Sequence, residues 1–432
     1  MTDHLAKSAV TARPSLIQQS RLRQWLLCLA VGVVSLFGPA AQAETFRQFL
    51  DGLWPEAEAL GVSRPAFDAA FKGVEPDYSI PDLELPGREK KVDSSGQAEF
   101  TRAPSQYLDK AYLSNLAAQG RPLLTQHKTA LDKIEREIGV DRYSLIAIWG
   151  RETAFGNYKL PHDAVRVLVT LAYTGRRKEL FRAEILAALQ MLEAGVARSD
   201  MRSSWAGAVG LTQFMPSEYI PYARDIDGDG TKDIFHSVPD ALGSAAAQLA
   251  GKGWVAGQTW GYEVRIPPTA DCAYEGPTQA RPISSWAKLG FVRAANRSWT
   301  EAQLPLEAYL MSPAGAYGPS FLVLENYRVI RKYNTSDLYA VFVGHLADRL
   351  AGGGDFETPW GGVAAQKTRV IEEIQVLLKE RGFEVDKIDG KVGSNTRKNV
   401  GTYQRNSKLK VDCWPSDAVL AHLKSARRAE AP

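Results

Sequence analysis

Apolar residues recur at three- and four-residue spacing along most of the chain: Tyr143, Leu145, Ile148 and Trp149 in one segment, then Leu180, Phe181, Ile185, Leu186, Leu189 and Leu192 in another. That spacing matches the 3.6-residue turn of a helix, so 45–350 is predicted to be mainly helical. Between Glu263 and Tyr309 the period weakens, and Pro267, Pro268, Pro277, Pro282 and Pro305 interrupt short strand-like runs such as 262–266. A small β-rich insertion is expected there. Ala351-Gly352-Gly353-Gly354 and Pro359-Trp360-Gly361-Gly362 then read as a flexible stretch, and helical spacing resumes at Thr368. The organisation predicted is a main α+β domain over 44–350, a linker over 351–367 and a small C-terminal domain over 368–426. No repeat with a period of 20 to 50 residues is present, which excludes a solenoid.

Residues 1–43 read differently. Arg21 and Arg23 precede an apolar run over 25–37, which is followed by Gly38-Pro39 and Ala41-Gln42-Ala43. This is the order of parts in a secretory signal peptide, with cleavage expected after Ala43. The run of 13 residues is too short to cross about 30 Å of hydrocarbon as a helix. Cys28 lies in the middle of that run without a small residue before it, so it is expected to leave with the signal rather than carry a lipid anchor, giving a soluble periplasmic protein. Of the remaining cysteines, Cys272 and Cys413 fall in different predicted domains, and two free, half-buried thiols are expected rather than a disulfide.

The chain of 432 residues is 45% hydrophobic and 23% charged, as folded globular proteins are. Its 52 Lys and Arg stand against 49 Asp and Glu, and without residues 1–43 there are 48 of each. A neutral chain has no concentrated positive excess, which argues against nucleic acid or an anionic membrane surface as partner.

Three motifs could carry chemistry. In 144–156, Leu145, Ile148, Trp149 and Glu152 share one helical face, so a carboxylate occupies a position where the pattern asks for a core residue. Burial beside aromatic rings disfavours the charged form and suits a general acid. A buried Glu paired with Arg151 or another cation fits the same pattern. The second motif, 203–216, places small residues and glycines ahead of Gln213, Phe214, Met215 and Pro216. It suits either a tight turn that brings backbone close to a ligand or a close-packed helix start. The third, 225–233, has Asp225, Asp227, Asp229 and Asp233 at positions 1, 3, 5 and 9, Gly230 at position 6 and the Thr231 carbonyl at position 7. Oxygen ligands in that order suit Ca²⁺, although His236 stands at position 12 and the next acid is Asp240. Asn326, Tyr327, Tyr333, Asn334 and Tyr339, with Trp254, Trp260 and Tyr262 before them, fit a sugar-binding groove or core packing.

Gly150-Arg151-Glu152-Thr153-Ala154-Phe155-Gly156, the 204–216 motif and Arg331-Lys332-Tyr333-Asn334, in this order and spacing, resemble the lytic murein transglycosylase B family, glycoside hydrolase family 103. The resemblance covers nearly all of 44–350. It implies a lysozyme-like helical core that cleaves the β-1,4 bond between N-acetylmuramic acid and N-acetylglucosamine and leaves a 1,6-anhydromuramoyl end. Carried over position by position, Glu152 is the single acid/base. Ser204, Gln213 and Phe214 place the sugar, Tyr333, Asn334 and Tyr339 line the groove, and Arg176 lies near the stem peptide. The family's calcium loop falls on Asp225, Asp227, Asp229 and Thr231, with Asp240 as the closing acid, and Ala247-Gln248 stands where some relatives have a groove aromatic. The chemistry needs no cofactor, because an internal hydroxyl replaces the activated water that a second carboxylate would serve.

The piece over 368–423 resembles the three-helix peptidoglycan-binding domain, through Ile374, Leu377, Leu378, Gly382-Phe383, Asp389-Gly390, Gly393, Thr396-Arg397 and Tyr403-Gln404, with a helix capped near Ser394 or Asn395. Peptidoglycan glycan strands are the expected partner, with cell-wall synthases or division proteins as further candidates, and a monomer is expected. The competing readings are a muramidase acting on the same bond and a wall-binding scaffold without activity.

Overall fold

Asp141, Asp163, Ser237 and Ser336 each accept a hydrogen bond from the backbone N–H three residues on, and so open the helices Arg142–Thr153, Ala164–Thr174, Val238–Gly251 and Asp337–Leu350. These caps fix where the principal helices begin, and burial decides how they pack. The structure, a computed structural model, describes residues 44–85 and 98–430, so the expected signal peptide with its Cys28 lies outside the described residues. Of the described residues, those from Leu50 onward form one compact unit, which carries everything below.

Arg142–Thr153 is the central helix. It packs against Asp337–Leu350, Lys110–Gln126, Lys128–Glu137 and Val238–Gly251, and it is buried on every side from Ser144 to Gly150. The single apolar face expected from its spacing is therefore only part of a helix enclosed all round. The chain is mainly helical, as expected, and among the described residues no helix is long and apolar enough to cross a membrane.

The β-rich insertion is a five-stranded antiparallel sheet in the order Arg281–Pro282, Glu307–Met311, Ser320–Val323, Gly261–Arg265, Val292–Arg293. It extends past Tyr309, where the sequence pattern stops. The middle strand, Ser320–Val323, is buried at all four positions and so lacks the alternation that marks a half-exposed strand. Val264, Ile283, Trp286, Phe291, Leu310 and Leu322 form the core beside it.

The C-terminal helices Thr368–Glu380, Ser394–Asn406 and Asp417–Glu430 enclose Ile374, Leu378, Val400, Tyr403 and Leu423. The middle helix begins on Gly393 with no side-chain cap, so neither Ser394 nor Asn395 plays that part. Two expectations about this region are overturned. Cys272 and Cys413 are joined in a disulfide, with sulfurs 2.01 Å apart. Their separation in sequence hid the pairing, which arises because the C-terminal helices dock on the turn Cys272–Tyr274. Gly401 allows that approach, since a Cβ there would lie 2.4 Å from Cys413 Sγ.

The stretch expected to be a flexible linker is pinned as well. Phe356 stacks on His345 with ring centres 3.7 Å apart, Trp360 meets Phe356 edge-on, and the Glu263 carboxylate accepts from the amides of Glu357 and Thr358 at 2.9 and 2.7 Å. Glycine content predicted mobility, while the two aromatic rings decide the outcome.

The helix Asp337–Leu350 also carries two titratable groups with opposite pH behaviour, the half-buried Asp348 and the buried His345. Burial pushes the Asp348 carboxyl up to about 7, against the donated bond from Trp260 Nε1 at 2.9 Å. Burial, assisted by Arg349, pushes His345 down to about 3. The raised acid contributes stability that is complete below about pH 4 and is lost as pH rises through 7. The depressed histidine costs stability as pH falls below about 6.5. In Asp348→Asn only the histidine effect remains, so its melting temperature is expected to fall more steeply than the parent's between pH 7 and 4, as calorimetry across that range would show.

Candidate active site

Glu152 sits in the last turn of the central helix, and the chain leaves that helix through three successive left-handed residues, Ala154, Phe155 and Gly156, with φ of 48°, 60° and 79°. Such a run is costly for residues with a Cβ and persists only where packing enforces it. Here the Phe155 ring folds back over the helix and takes the space of a side chain at Gly150, where a Cβ would lie 2.6 Å from the ring. Trp149 closes on Phe155 edge-to-face at 5.6 Å. The glycines of this motif therefore serve the turn that presents Glu152.

Three hydrogen bonds join 144–156, 203–216 and the segment 333–339 around that turn. Thr153 Oγ1 donates to the Leu211 carbonyl at 2.6 Å, tying the acid's helix to the second motif. Tyr333 Oη donates to the Thr212 carbonyl, tying Arg331-Lys332-Tyr333-Asn334 to the second motif. Tyr339 Oη donates to Glu152 Oε1 at 2.5 Å. Tyr339 is 1% exposed; burial first, and then the charge of Glu152, push its phenol well above its usual pKa, so it stays a donor at every working pH. Burial and the same carboxylate act on Tyr333.

Arg151 donates to Tyr107 Oη through Nε at 3.1 Å and Nη2 at 2.7 Å, and its guanidinium lies over the rings of Tyr107 and Phe342 at 5.1 and 5.2 Å. It is thus held by aromatic partners and reaches Glu152 as a neighbouring charge. Tyr107 and Phe342 are functional neighbours that the sequence did not reveal. Tyr107 lies 44 positions before Arg151, and Phe342 reads as an ordinary core position on its helix.

The second motif is a tight turn. Val209 and Phe214 exchange both backbone hydrogen bonds at 2.8 Å, and Gly210 and Gln213 between them are left-handed. A Cβ on Gly210 would lie 2.8 Å from the Ile234 carbonyl oxygen, which explains the glycine. Ser204 Oγ accepts from the amides of Ala206 and Ala208 at 3.4 and 3.2 Å, and Gln213 Nε2 donates to the Gly210 carbonyl at 3.1 Å. Both side chains remain half-buried at the surface of the turn. Phe214, which the resemblance implies helps place the sugar, is 1% exposed and exchanges both backbone bonds with Val209.

Asn334 is half-buried and closes the bend between the helices Glu325–Tyr333 and Asp337–Leu350, accepting from Ser336 N at 3.1 Å. Asn326, Tyr327 and Trp260 are core residues, which settles that part of the aromatic cluster in favour of packing. Arg176 is bonded with Arg177 to the buried Asp82 in a separate ion cluster.

In the aspartate loop, Asp225, Asp227, Asp229 and Asp240 each bring a carboxylate oxygen within 4.8 Å of the others. That donor set fits a hard cation held by oxygens. Asp240, in the first turn of Val238–Gly251, also organises the loop: its oxygens accept from Ile226 N at 2.7 Å and Asp233 N at 3.0 Å. Thr231 Oγ1 donates to Asp229 at 2.6 Å, while His236 is turned to Asp200 at 3.3 Å.

Tyr339→Phe removes one hydrogen bond to a charged acceptor at constant volume, a change on the order of 1.5 kcal/mol. The turnover rate is expected to fall about tenfold while the melting temperature drops by only about 2 °C; steady-state assays beside circular dichroism would check both.

The model of the transglycosylase SLT domain family matches residues 45–348, and that of a peptidoglycan binding domain matches 369–423. The membrane-bound lytic murein transglycosylase B of Escherichia coli K12 is 26% identical over 336 residues, 74% of this chain and 86% of its own. The crystal structure of SltB3 from Pseudomonas aeruginosa in complex with NAG-anhNAM-pentapeptide superposes with a TM-score of 0.79 at 38% identity, over 88% of this chain and 100% of that one. The Escherichia coli lytic transglycosylase SLT35 in complex with calcium superposes with a TM-score of 0.58 at 25% identity, over 73% of this chain and 95% of that one.

Proposed function

The chain belongs to the transglycosylase SLT domain family and carries a peptidoglycan binding domain, and from that premise we propose that it is a peptidoglycan lytic transglycosylase with Glu152 as its one acid/base. The observation that carries this reading is the bond from Tyr339 to Glu152, beside the bonds that tie 144–156 and 331–334 to the turn 203–216. Glu152 protonates the glycosidic oxygen between N-acetylmuramic acid and N-acetylglucosamine, and the C1–O4 bond breaks. The resulting carboxylate takes the proton of the muramoyl C6 hydroxyl as that oxygen closes on C1. One proton is given and one recovered, no water is consumed, and the product ends in 1,6-anhydromuramic acid. Tyr339 keeps the carboxylate oriented through both steps. Ser204, Gln213, Tyr333 and Asn334, all half-buried, serve the sugar rings and their amide groups.

A hydrolase on the same bond would need a second carboxylate to activate water. The other acid whose charge reaches Tyr333 is Glu218, and Lys252 Nζ holds it at 3.1 Å, so it is poorly suited to that task. Residues 44–432 incubated with purified peptidoglycan are expected to release soluble muropeptides. No release by a folded chain would favour the wall-binding reading.

The aspartate loop is assigned to a structural Ca²⁺, held by Asp225, Asp227, Asp229 and Asp240 with the Thr231 carbonyl. Bound there, the ion would lock the loop that precedes Val238–Gly251. Calcium is expected to raise the melting temperature of the parent chain and to leave Asp229→Ala unshifted, as calorimetry with and without a chelator would show. A soluble periplasmic enzyme acting on glycan strands completes the assignment.

A further inference from the structure

Arg397 lies on the middle helix of the C-terminal domain and is 1% exposed. Its guanidinium reaches three separate parts of the chain. Nε donates to Glu275 Oε2 at 3.0 Å, at the base of the β insertion; Nη2 donates to Asp337 Oδ2 at 2.9 Å; and Nη1 donates to the Val392 carbonyl at 2.7 Å. Asp337 also accepts from Tyr327 Oη at 2.9 Å and lies 3.0 Å from Arg331 Nε. Charges buried this deeply are tolerated only when all are paired, so the site demands that the C-terminal domain be docked.

The docking is reinforced nearby. The Cys272–Cys413 disulfide crosses the same interface, and Asp412 accepts from Tyr317 Oη at 2.8 Å and, through its backbone carbonyl, from Ala316 N at 2.9 Å. A domain that served only as a tethered anchor would gain nothing from this investment in buried charge.

Asp337 is the first residue of the helix that carries Tyr339. Residues two apart on a helix point about 200° apart, so one side of this helix start is pinned by Arg397 while the other delivers the phenol to Glu152. We propose that the C-terminal domain is a working part of the catalytic centre: Arg397 is a positioning residue that, through Asp337, fixes the helix start from which Tyr339 holds Glu152. The proposal rests on the assignment of Glu152 as the acid.

The test compares full-length variants on a soluble, uncrosslinked glycan oligomer, well below their melting temperatures. Asp337→Asn leaves Arg397 on Glu275 and is expected to lower kcat about tenfold with KM within twofold. Glu275→Gln leaves Arg397 on Asp337; it is expected to lose thermal stability yet keep kcat within twofold. If Asp337 acts through Tyr339, the double variant Asp337→Asn with Tyr339→Phe is no slower than Tyr339→Phe alone. Should Asp337→Asn fail to fold, Arg397→Lys replaces it, since a single ammonium cannot span both carboxylates, and its loss of kcat is likewise expected to vanish in the Tyr339→Phe background. Wild-type kcat in the folded Asp337→Asn variant, or rate losses that multiply in the double variant, would overturn the proposal. Full activity in Glu152→Gln would instead remove the acid assignment beneath it.

Discussion

Replacing Glu152 with Gln is expected to lower the rate of peptidoglycan cleavage about 10³-fold while leaving glycan binding and the melting temperature near those of the parent. The amide has almost the shape of the carboxyl and keeps an oxygen where Tyr339 Oη donates at 2.5 Å, so the packing around it persists. What it loses is the transferable proton. Both steps of the proposed cycle run through this one group, which is why its removal exceeds the roughly tenfold expected for Tyr339→Phe, where the acid remains and only its orientation is relaxed. Binding measured on the folded variant separates the two contributions. A folded Glu152→Gln variant that cleaves at the parent rate would show that the acid lies elsewhere.

The largest effect on stability is expected from Arg397→Met. Removing the guanidinium leaves Glu275 and Asp337 buried without their shared partner, at a cost on the order of 3–5 kcal/mol. Glu275 is already strained in this sense, since burial pushes its carboxyl up to about 7 even against the opposing pull of Arg397. For a chain of this size the melting temperature should fall by about 5 °C, with the disulfide holding the two domains together through the transition. Adding Glu275→Leu to Arg397→Met removes one of the stranded charges and is expected to recover part of the loss, a non-additivity that a double-mutant cycle measured by calorimetry reads directly. Equal melting curves for Arg397→Met and the parent would mean that the buried cluster contributes nothing to docking.

Much of the site was legible because its residues lie in short contiguous motifs. Glu152 showed itself as an acid on an apolar face, and Gly207 and Gly210 fitted the tight turn that the structure makes there, one of the two forms open to that motif. Residues whose roles arise from packing were not legible in this way. The burial of Phe214 has no signal along the chain, and Tyr107 carries no local signature until the fold brings it to Arg151. The same limit hid the strand Ser320–Val323, whose burial on both faces erases alternation. It also hid the docking of the C-terminal domain: glycine-rich sequence between two domains predicts a tether, whereas Phe356, Trp360, Arg397 and Cys413 each find a partner far away in sequence. Arg397 was noted only as part of a family motif, because a buried ion pair has no pattern along the chain.

The central claim is that one carboxylate carries both proton transfers without water. It is tested most directly by mass spectrometry of the muropeptides released from purified peptidoglycan by residues 44–432. Products ending in anhydromuramic acid, lighter by one water than the reducing form, are predicted, with no ¹⁸O incorporated when the digestion is run in labelled water. Reducing ends carrying ¹⁸O would contradict the account and require a second, water-activating carboxylate beside Glu152.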